Sequence, residues 1–314
     1  MATKSSSKPA IYAAFIGNVL VAATKAAAAA WTGSSGMLSE AVHSLVDTGN
    51  QLLLLYGMRR ATLHPDREHP VGYGRELYFW SFIVALLVFA LGAGVSVYEG
   101  IAHIREPEPI TDPMVNYVVL ALAFLLEGTS WFISLRQFRR VKGSASYYQA
   151  FVRSKDPTSF MVLFEDSAAL LGIAIAALGT YGSVALGDPR LDGLASVLIG
   201  LVLAAVSVLL ARESKSLLIG EQADTKLTAS IMRTASGACS CSRPNGLITV
   251  QLAPDQILVA LSLEFADDLT ATRIEDEVLR LERRIREAHP EVVTLFVKPQ
   301  TSATYQERMR RYTS

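Results

Sequence analysis

Six runs of about 20 mostly apolar residues occupy this chain up to residue 211, and that is the length a helix needs to cross a bilayer. They cover residues 10–31, 37–58, 78–100, 114–135, 159–186 and 191–211. The third, YFWSFIVALLVFALGAGVSVYEG from Tyr78 to Gly100, is the least interrupted. Beyond Arg212 the sequence turns abruptly charged and polar. Composition agrees: 51% of residues are hydrophobic and 18% charged, below the roughly 25% charged residues of soluble domains, and the mean hydropathy is +0.31. The expected architecture is a membrane protein with a six-helix transmembrane bundle over residues 1–213, a small soluble domain over 214–300 and a polar tail over 301–314.

Basic residues give the orientation. Arg59, Arg60, Arg67 and Arg75 follow the second run; Arg136, Arg139, Arg140, Lys142, Arg153 and Lys155 follow the fourth; Arg212 and Lys215 follow the sixth. The opposite loops carry only Arg105 and Arg190, beside Glu106, Glu108, Asp112, Asp188 and Asp192. The positive-inside rule then puts both termini in the cytoplasm, as an even number of spans requires. The N-terminus, MATKSSSKP, is polar and basic, and the run after it holds Asn18 and Lys25 and continues past Ala30. It reads as a retained first span and not as a cleaved signal peptide. The formal net charge of zero argues for neither nucleic acid nor an acidic partner. Cys239 and Cys241 are separated by one residue, so a disulfide between them would be strained, and two cysteines make no disulfide framework.

The soluble part reads as α-β-β-α-β, a small ferredoxin-like or metallochaperone-like α+β layer on the cytoplasmic side. Lys226–Ala235 is a helix; Gly246–Leu252 and Gln256–Phe265 alternate like strands around a turn at Ala253–Asp255. Thr272–Ala288 carries Ile274, Val278, Leu281 and Ile285 at helical spacing, with Asp268 or Thr270 as its cap, and Glu291–Lys298 is a last strand. Helices on one face of a three-stranded sheet follow, and the stretch after Thr301 is expected to fray.

The second span, SGMLSEAVHSLVDTGNQLLLLY over Ser35–Tyr56, carries ionisable residues in its middle. His43 and Asp47 are four residues apart and share a helix face, as do Asn50 and Gln51 with Asp47. The fifth span opens with Glu165 and Asp166, adjacent residues about 100° apart around a helix. Ionisable groups inside a membrane are costly and by default functional. The alternatives are a structural hydrogen-bonded pair, in the membrane or in a buried soluble helix, and a proton relay. An imidazole with two or three carboxylates suits a first-row divalent metal, with tetrahedral zinc the commonest case. A cation offsets buried carboxylates that cannot otherwise all ionise, and protons replace it when it leaves. That exchange is the chemistry of a metal/proton antiporter.

These features together resemble the cation diffusion facilitator family of dimeric metal/proton antiporters. The likeness covers nearly the whole chain: Asn18 and Lys25, SEAVHSLVD, DREHPVGYGRE, Glu99, DGLASVLIG and the α-β-β-α-β tail. HSLVDTGNQ, PDREHPVGYGRE and FEDSAALLG most resemble the zinc-transporter-nine branch and its bacterial relatives. The resemblance implies a homodimer in the lipid membrane, in this reading the bacterial inner membrane, that exports Zn²⁺ against protons without a resident cofactor. It also implies an intramembrane metal site of two residues four apart in each of spans two and five. The first pair is His43 and Asp47. The second would be Val162 and Asp166, and valine cannot be a ligand, so Glu165 is the nearest fourth candidate, with Gln51, Asn50 or water behind it. An oxygen-richer site also suits Mn²⁺ or Fe²⁺. A second family site in the loop after span two would use Asp66, His69 and Tyr73, with Glu68 and His64 nearby; a purely structural loop is the favoured reading there. The tail lacks the family's histidine-rich sites: His289 stands alone, Cys239 and Cys241 offer a soft metal two ligands without a third and fourth, and a dimerisation role is expected.

The remaining polar residues have structural readings. Lys25 pairs with a buried carboxylate or snorkels; Glu99 lies near the outer boundary; Asp192 and Ser196 cap or hydrogen-bond their own helix; Tyr78, Phe79 and Trp80 form an interfacial belt. No nucleotide-binding motif is present, which leaves a proton gradient as the drive. No serine or histidine arrangement serves a membrane-embedded metalloenzyme, so the reading is a secondary transporter and not an enzyme. A non-transporting metal sensor or scaffold is the third possibility.

Overall fold

The computed structural model describes residues 8–313 apart from 143–145, 148, 149, 152, 153 and 238–240. Arg153 and Cys239 lie outside the described residues, as do residues 1–7 of the basic N-terminus. The chain forms two compact units, one of Met1–Arg59 and Glu76–Lys215, the other of Arg60–Arg75 and Ser216–Ser314.

The first unit is helical. Its elements are α1 (Lys8–Thr32), α2 (Ser35–Ala61), α3 (Glu76–Leu87), α4 (Gly94–Arg105), α5 (Pro113–Lys142), α6 (Pro157–Leu186) and α7 (Arg190–Ile219), with the last residues of α2 and α7 running beyond it. A π-helical stretch, Val88–Ala93, joins α3 to α4 without a break. Four helices of the described residues are long and apolar enough to cross a membrane: Glu76–Arg105, Pro113–Arg140, Phe160–Leu186 and Arg190–Ile219. Six runs were expected to span; α1 and α2, of 25 and 27 residues, are not among the four. In α2 the residues Glu40, His43, Asp47, Asn50 and Gln51 dilute the apolar character.

Local chemistry sets the helix ends. The Asp156 carboxylate accepts from Thr158 N at 3.1 Å, Pro157 fills the first helical position and Gly187, at φ 65°, closes α6 in the left-handed conformation. The start of α2 is capped from a distance. Asp192 of α7 accepts from Ser35 N at 2.6 Å, Gly36 N at 3.2 Å, Ser34 Oγ at 2.9 Å and Ser35 Oγ at 3.1 Å. Asp192 was expected to cap its own helix; it serves instead the orphan N–H groups of another, where a carboxylate is favoured by the helix dipole. Ser196, one turn on, pairs with Ser39 of α2 and donates to Ser96 O at 2.8 Å.

Apolar packing holds these helices in place. One core gathers Met37, Val46, Val88, Leu120, Ala168, Ile173, Ile199 and Leu203; another gathers Leu54, Val84, Phe138, Phe160, Met161 and Leu210. Gly100 of α4 faces Gly193 of α7. A Cβ on either would sit 2.6 or 2.9 Å from the other's carbonyl oxygen, so the two backbones meet only because both residues are glycine.

The second unit contains α8 (Thr225–Ser236), β1 (Ser242–Ala253), β2 (Gln256–Phe265), α9 (Ala271–Ala288), β3 (Val292–Pro299) and α10 (Ser302–Thr313). The sheet is mixed, in the order β1-β2-β3: β1 pairs antiparallel with β2 through the Pro254–Asp255 turn, and β3 returns parallel to β2 after α9. Ile257, Val259, Leu261 and Leu263 alternate along β2 onto the core face, where Ile231 and Ala235 of α8 and Leu281 and Ile285 of α9 cover them. The residues expected to fray after Thr301 are helical in α10, where Arg311 and Glu307 pair at 2.8 Å, four residues apart. Cys241 is disulfide-bonded, although the one-residue separation of the two cysteines spoke against a bond.

Candidate functional site

A cavity of about 230 Å³ opens among α1, α2, α5 and α6. Each helix contributes residues at helical spacing, which puts them on one face: Asn18 and Val21; Ser44, Asp47 and Gln51; Leu126, Glu127 and Ser130; Val162, Glu165 and Asp166. Among the described residues the lining has four carboxylates and no basic side chain.

The carboxylates hold different partners. Glu165 Oε1 accepts from Asn50 Nδ2 at 3.1 Å, while Asp166 Oδ2 accepts from Ser130 Oγ of α5 at 2.9 Å. The two neighbours are thus turned to different helices, as their angular separation requires, yet both line the same cavity. Asn18 Nδ2 donates to Gln51 Oε1 at 2.9 Å, tying α1 to α2. Asp47 Oδ1 is buried without a hydrogen-bond partner. An unpaired buried acceptor carries a desolvation penalty that a cation or a proton would relieve.

His43 keeps its expected neighbour, Asp47. It is 1% exposed, its Nε2 lies 3.4 Å from Asp47 Oδ2, and neither ring nitrogen makes a hydrogen bond. It does not line the cavity. Val162 does, so the position without a donor atom faces the cavity alongside Asp166. Among the described residues no three His, Cys, Asp or Glu side chains are gathered into a group that would hold a metal ion. Asp47, Glu165 and Asp166 therefore share a cavity, and His43 lies beside Asp47, without a closed coordination shell among the described residues.

Two acidic residues escaped the sequence reading. Glu127, in the middle of the fourth span, lines the cavity. Glu40, seven residues before Asp47, is fully buried and salt-bridged to Lys25 Nζ at 3.0 Å. Lys25 also receives Ser44 Oγ as an acceptor at 2.8 Å and lies 3.7 Å from Glu127 Oε1. It is an ion-pair partner and does not snorkel. The signal that finds both glutamates is the one used for Asp47: an ionisable group inside an apolar run.

The loop after α2 has a different character. Asp66 Oδ1 accepts from the N–H groups of Glu68 at 2.9 Å and His69 at 2.7 Å, and Oδ2 from Tyr73 OH at 2.6 Å. These donors hold the Asp66 carboxyl below its usual range, the Tyr73 hydroxyl foremost, and Asp66 in turn raises Tyr73. The His69 ring lies 4.1 Å from the Tyr73 ring, and the Arg60 guanidinium 5.0 Å from it on centroid measure. Glu68 and His64 are exposed. Gly74, against Leu252 O and Gln256, fits this loop to the β1–β2 turn only because it has no Cβ.

Residues 11–219 match the cation efflux transmembrane domain, and the chain belongs to that family. Among its relatives is the proton-coupled zinc antiporter SLC30A9, mitochondrial, of Xenopus laevis, 39% identical over 193 residues. The human protein of that name is 37% identical over the same length. These alignments take in 60% of this chain and 34% of either relative, so the chain spans about a third of their length. Metal tolerance protein C4 of Arabidopsis thaliana is 33% identical over 65% of this chain and 45% of its own. The cation-efflux pump FieF of Escherichia coli is 24% identical over 80% of both.

Proposed function

We propose that this protein is a secondary antiporter that exports Zn²⁺ from the cytoplasm in exchange for protons, with Asp47, Asp166 and Glu165 as its substrate ligands. The observation that carries this reading is the cavity lined by carboxylates from α2, α5 and α6 in which Asp47 keeps a buried oxygen unpaired. A divalent cation entering there compensates charges that would otherwise have to be protonated, so metal and protons exclude each other. Zinc is favoured by the names of the relatives at 37–39% identity. The oxygen-rich lining, with His43 set back from it, supports Mn²⁺ or Fe²⁺ as the second reading. Gln51 and Asn50 serve as auxiliary or positioning groups, through Asn18 and Glu165 respectively. The bonds within the loop support a structural role for Asp66, Glu68 and His69.

In this reading α1 and α2 also span the membrane, making six spans with both termini cytoplasmic, as the basic loops favour. The second unit is the cytoplasmic α+β domain of a homodimer. A bacterial inner membrane is favoured by the Escherichia coli relative, which aligns over 80% of both chains.

Proteoliposome flux tests the function. With a Zn²⁺-sensitive dye inside and an imposed pH gradient, wild type should accumulate metal and Asp47→Ala should not. A wild-type protein that moves none of Zn²⁺, Mn²⁺ or Fe²⁺ under any gradient would end the transporter reading.

A further inference from the structure

We propose that Glu127 of α5 is an additional substrate-contacting carboxylate of the transport site, shared in alternation between the metal ion and the Lys25 ammonium. The inference rests on the transport reading above and adds a helix that the paired pattern of spans two and five does not contain.

Four observations support it. Glu127 faces the same cavity as Asp47, Glu165 and Asp166. It belongs to a graded set of contacts around Lys25, whose Nζ is 3.0 Å from Glu40 and 2.8 Å from Ser44 Oγ but 3.7 Å from Glu127. Lys25 and Glu40 have side chains with no exposure at all, whereas that of Glu127 is 19% exposed. Finally, Val162 presents no donor atom on the wall of α6, one turn from Asp166, which leaves room there for an oxygen ligand from a facing helix.

The chemistry follows from that grading. Lys25 and Glu40 neutralise each other at close range in a fully buried pair, and Ser44 supplies Lys25 with a second acceptor. If Lys25 releases Glu127, its ammonium keeps both near partners and is not left as an unpaired buried charge. Glu127 is therefore the one carboxylate of the trio that can turn to the cavity at low cost. A divalent ion there attracts it more strongly than a monovalent ammonium at 3.7 Å. Hard oxygen donors also favour Mn²⁺ more than imidazole does, so Glu127 would widen the range of metals accepted.

Equilibrium metal binding to the detergent-solubilised full chain tests this independently of transport, with Zn²⁺ and Mn²⁺ as the probes. Glu127→Gln should raise the half-saturating Zn²⁺ concentration by about tenfold, within the 10–100-fold range for lost site partners. Glu127→Asp should recover part of that loss. The double variant Lys25→Met with Glu40→Met removes the competing cation together with its own partner, and apolar replacement of a buried pair is generally tolerated. It should tighten Zn²⁺ binding several-fold, and adding Glu127→Gln in that background should abolish the gain. Half-saturation unchanged in Glu127→Gln, or a gain in the double variant that survives Glu127→Gln, overturns the proposal. Asp47→Ala in the same titration separates the two readings. If it weakens binding while Glu127→Gln does not, the site stands and Glu127 leaves it. If wild type binds metal but carries none in proteoliposomes, the transport reading fails while the binding data still decide on Glu127.

Discussion

Asp47 and Asp66 are both aspartates near a histidine, and they are used in opposite ways. In the loop, both oxygens of Asp66 are engaged, one by Tyr73 and the other by the backbone N–H groups of Glu68 and His69. In the helical unit, Asp47 lies 3.4 Å from His43 yet keeps one buried oxygen unpaired, with three more carboxylates around the same cavity. A carboxylate saturated by local donors stabilises its own loop and has little left to offer a ligand. One left unsatisfied in a low-dielectric cavity costs stability and is open to a cation or proton. Proximity of His to Asp, which is what a sequence motif reports, does not separate these cases; the remaining hydrogen-bond partners do.

The largest effect should come from breaking that contrast directly. Asp47→Ala is expected to reduce metal flux on the order of 100-fold, as for a lost ligand, while Asp66→Ala stays within about twofold of wild type under the same pH gradient. Equal losses in both would place the loop in the transport path and erase the distinction. Next, Asp166→Asn should cost on the order of tenfold in flux and Glu165→Gln less, since Glu165 is buried, at 6% exposed, and Asp166 only half-buried. The reverse ranking would make Glu165 the principal ligand of α6.

A saturated carboxylate should show itself in stability. Asp192→Ala removes four hydrogen bonds at the start of α2 and should destabilise the protein by about 1–3 kcal/mol. Thermal unfolding in detergent checks this, and an unchanged midpoint would mean that water or the serines replace the cap. The smallest effect concerns the exposed loop. Because the Asp66 carboxyl is lowered on folding, its ionised form favours the folded loop above the ordinary aspartate range. That contribution fades as pH falls through the lowered value. Tyr73→Phe removes the foremost cause, so the Asp66 titration followed by NMR should move up toward the ordinary range; no movement would leave the backbone N–H groups as the whole cause.

Legibility differed between the two units for a physical reason. In the second unit, β2 was readable to the residue as Gln256–Phe265, and α9 to within one residue, because period-two and period-3.6 patterns are local and one face of each element is buried. In the helical unit apolar runs gave helices but not faces, since lipid tolerates leucine on every side. Glu127 has no ionisable residue three or four positions away in span four, so the paired spacing that marks span two does not pick it out. His43 was expected to converge with Asp47 on one site from their four-residue spacing; the cavity face of α2 carries Asp47 with Ser44 and Gln51, three residues before and four after it.

By itself the sequence determined that this is a membrane protein with ionisable residues inside its apolar runs and a small α-β-β-α-β domain after them. Hydropathy and periodicity are properties of a segment and its neighbours, so they are present in the order of residues. Only the tertiary structure decided that Asp192 caps α2 from 157 residues away, that Lys25 is divided between Glu40 and Glu127, and which carboxylates share one cavity. Those partnerships depend on the rotation of each helix about its axis. That rotation is fixed by close contacts such as Gly100 against Gly193, which no single segment encodes.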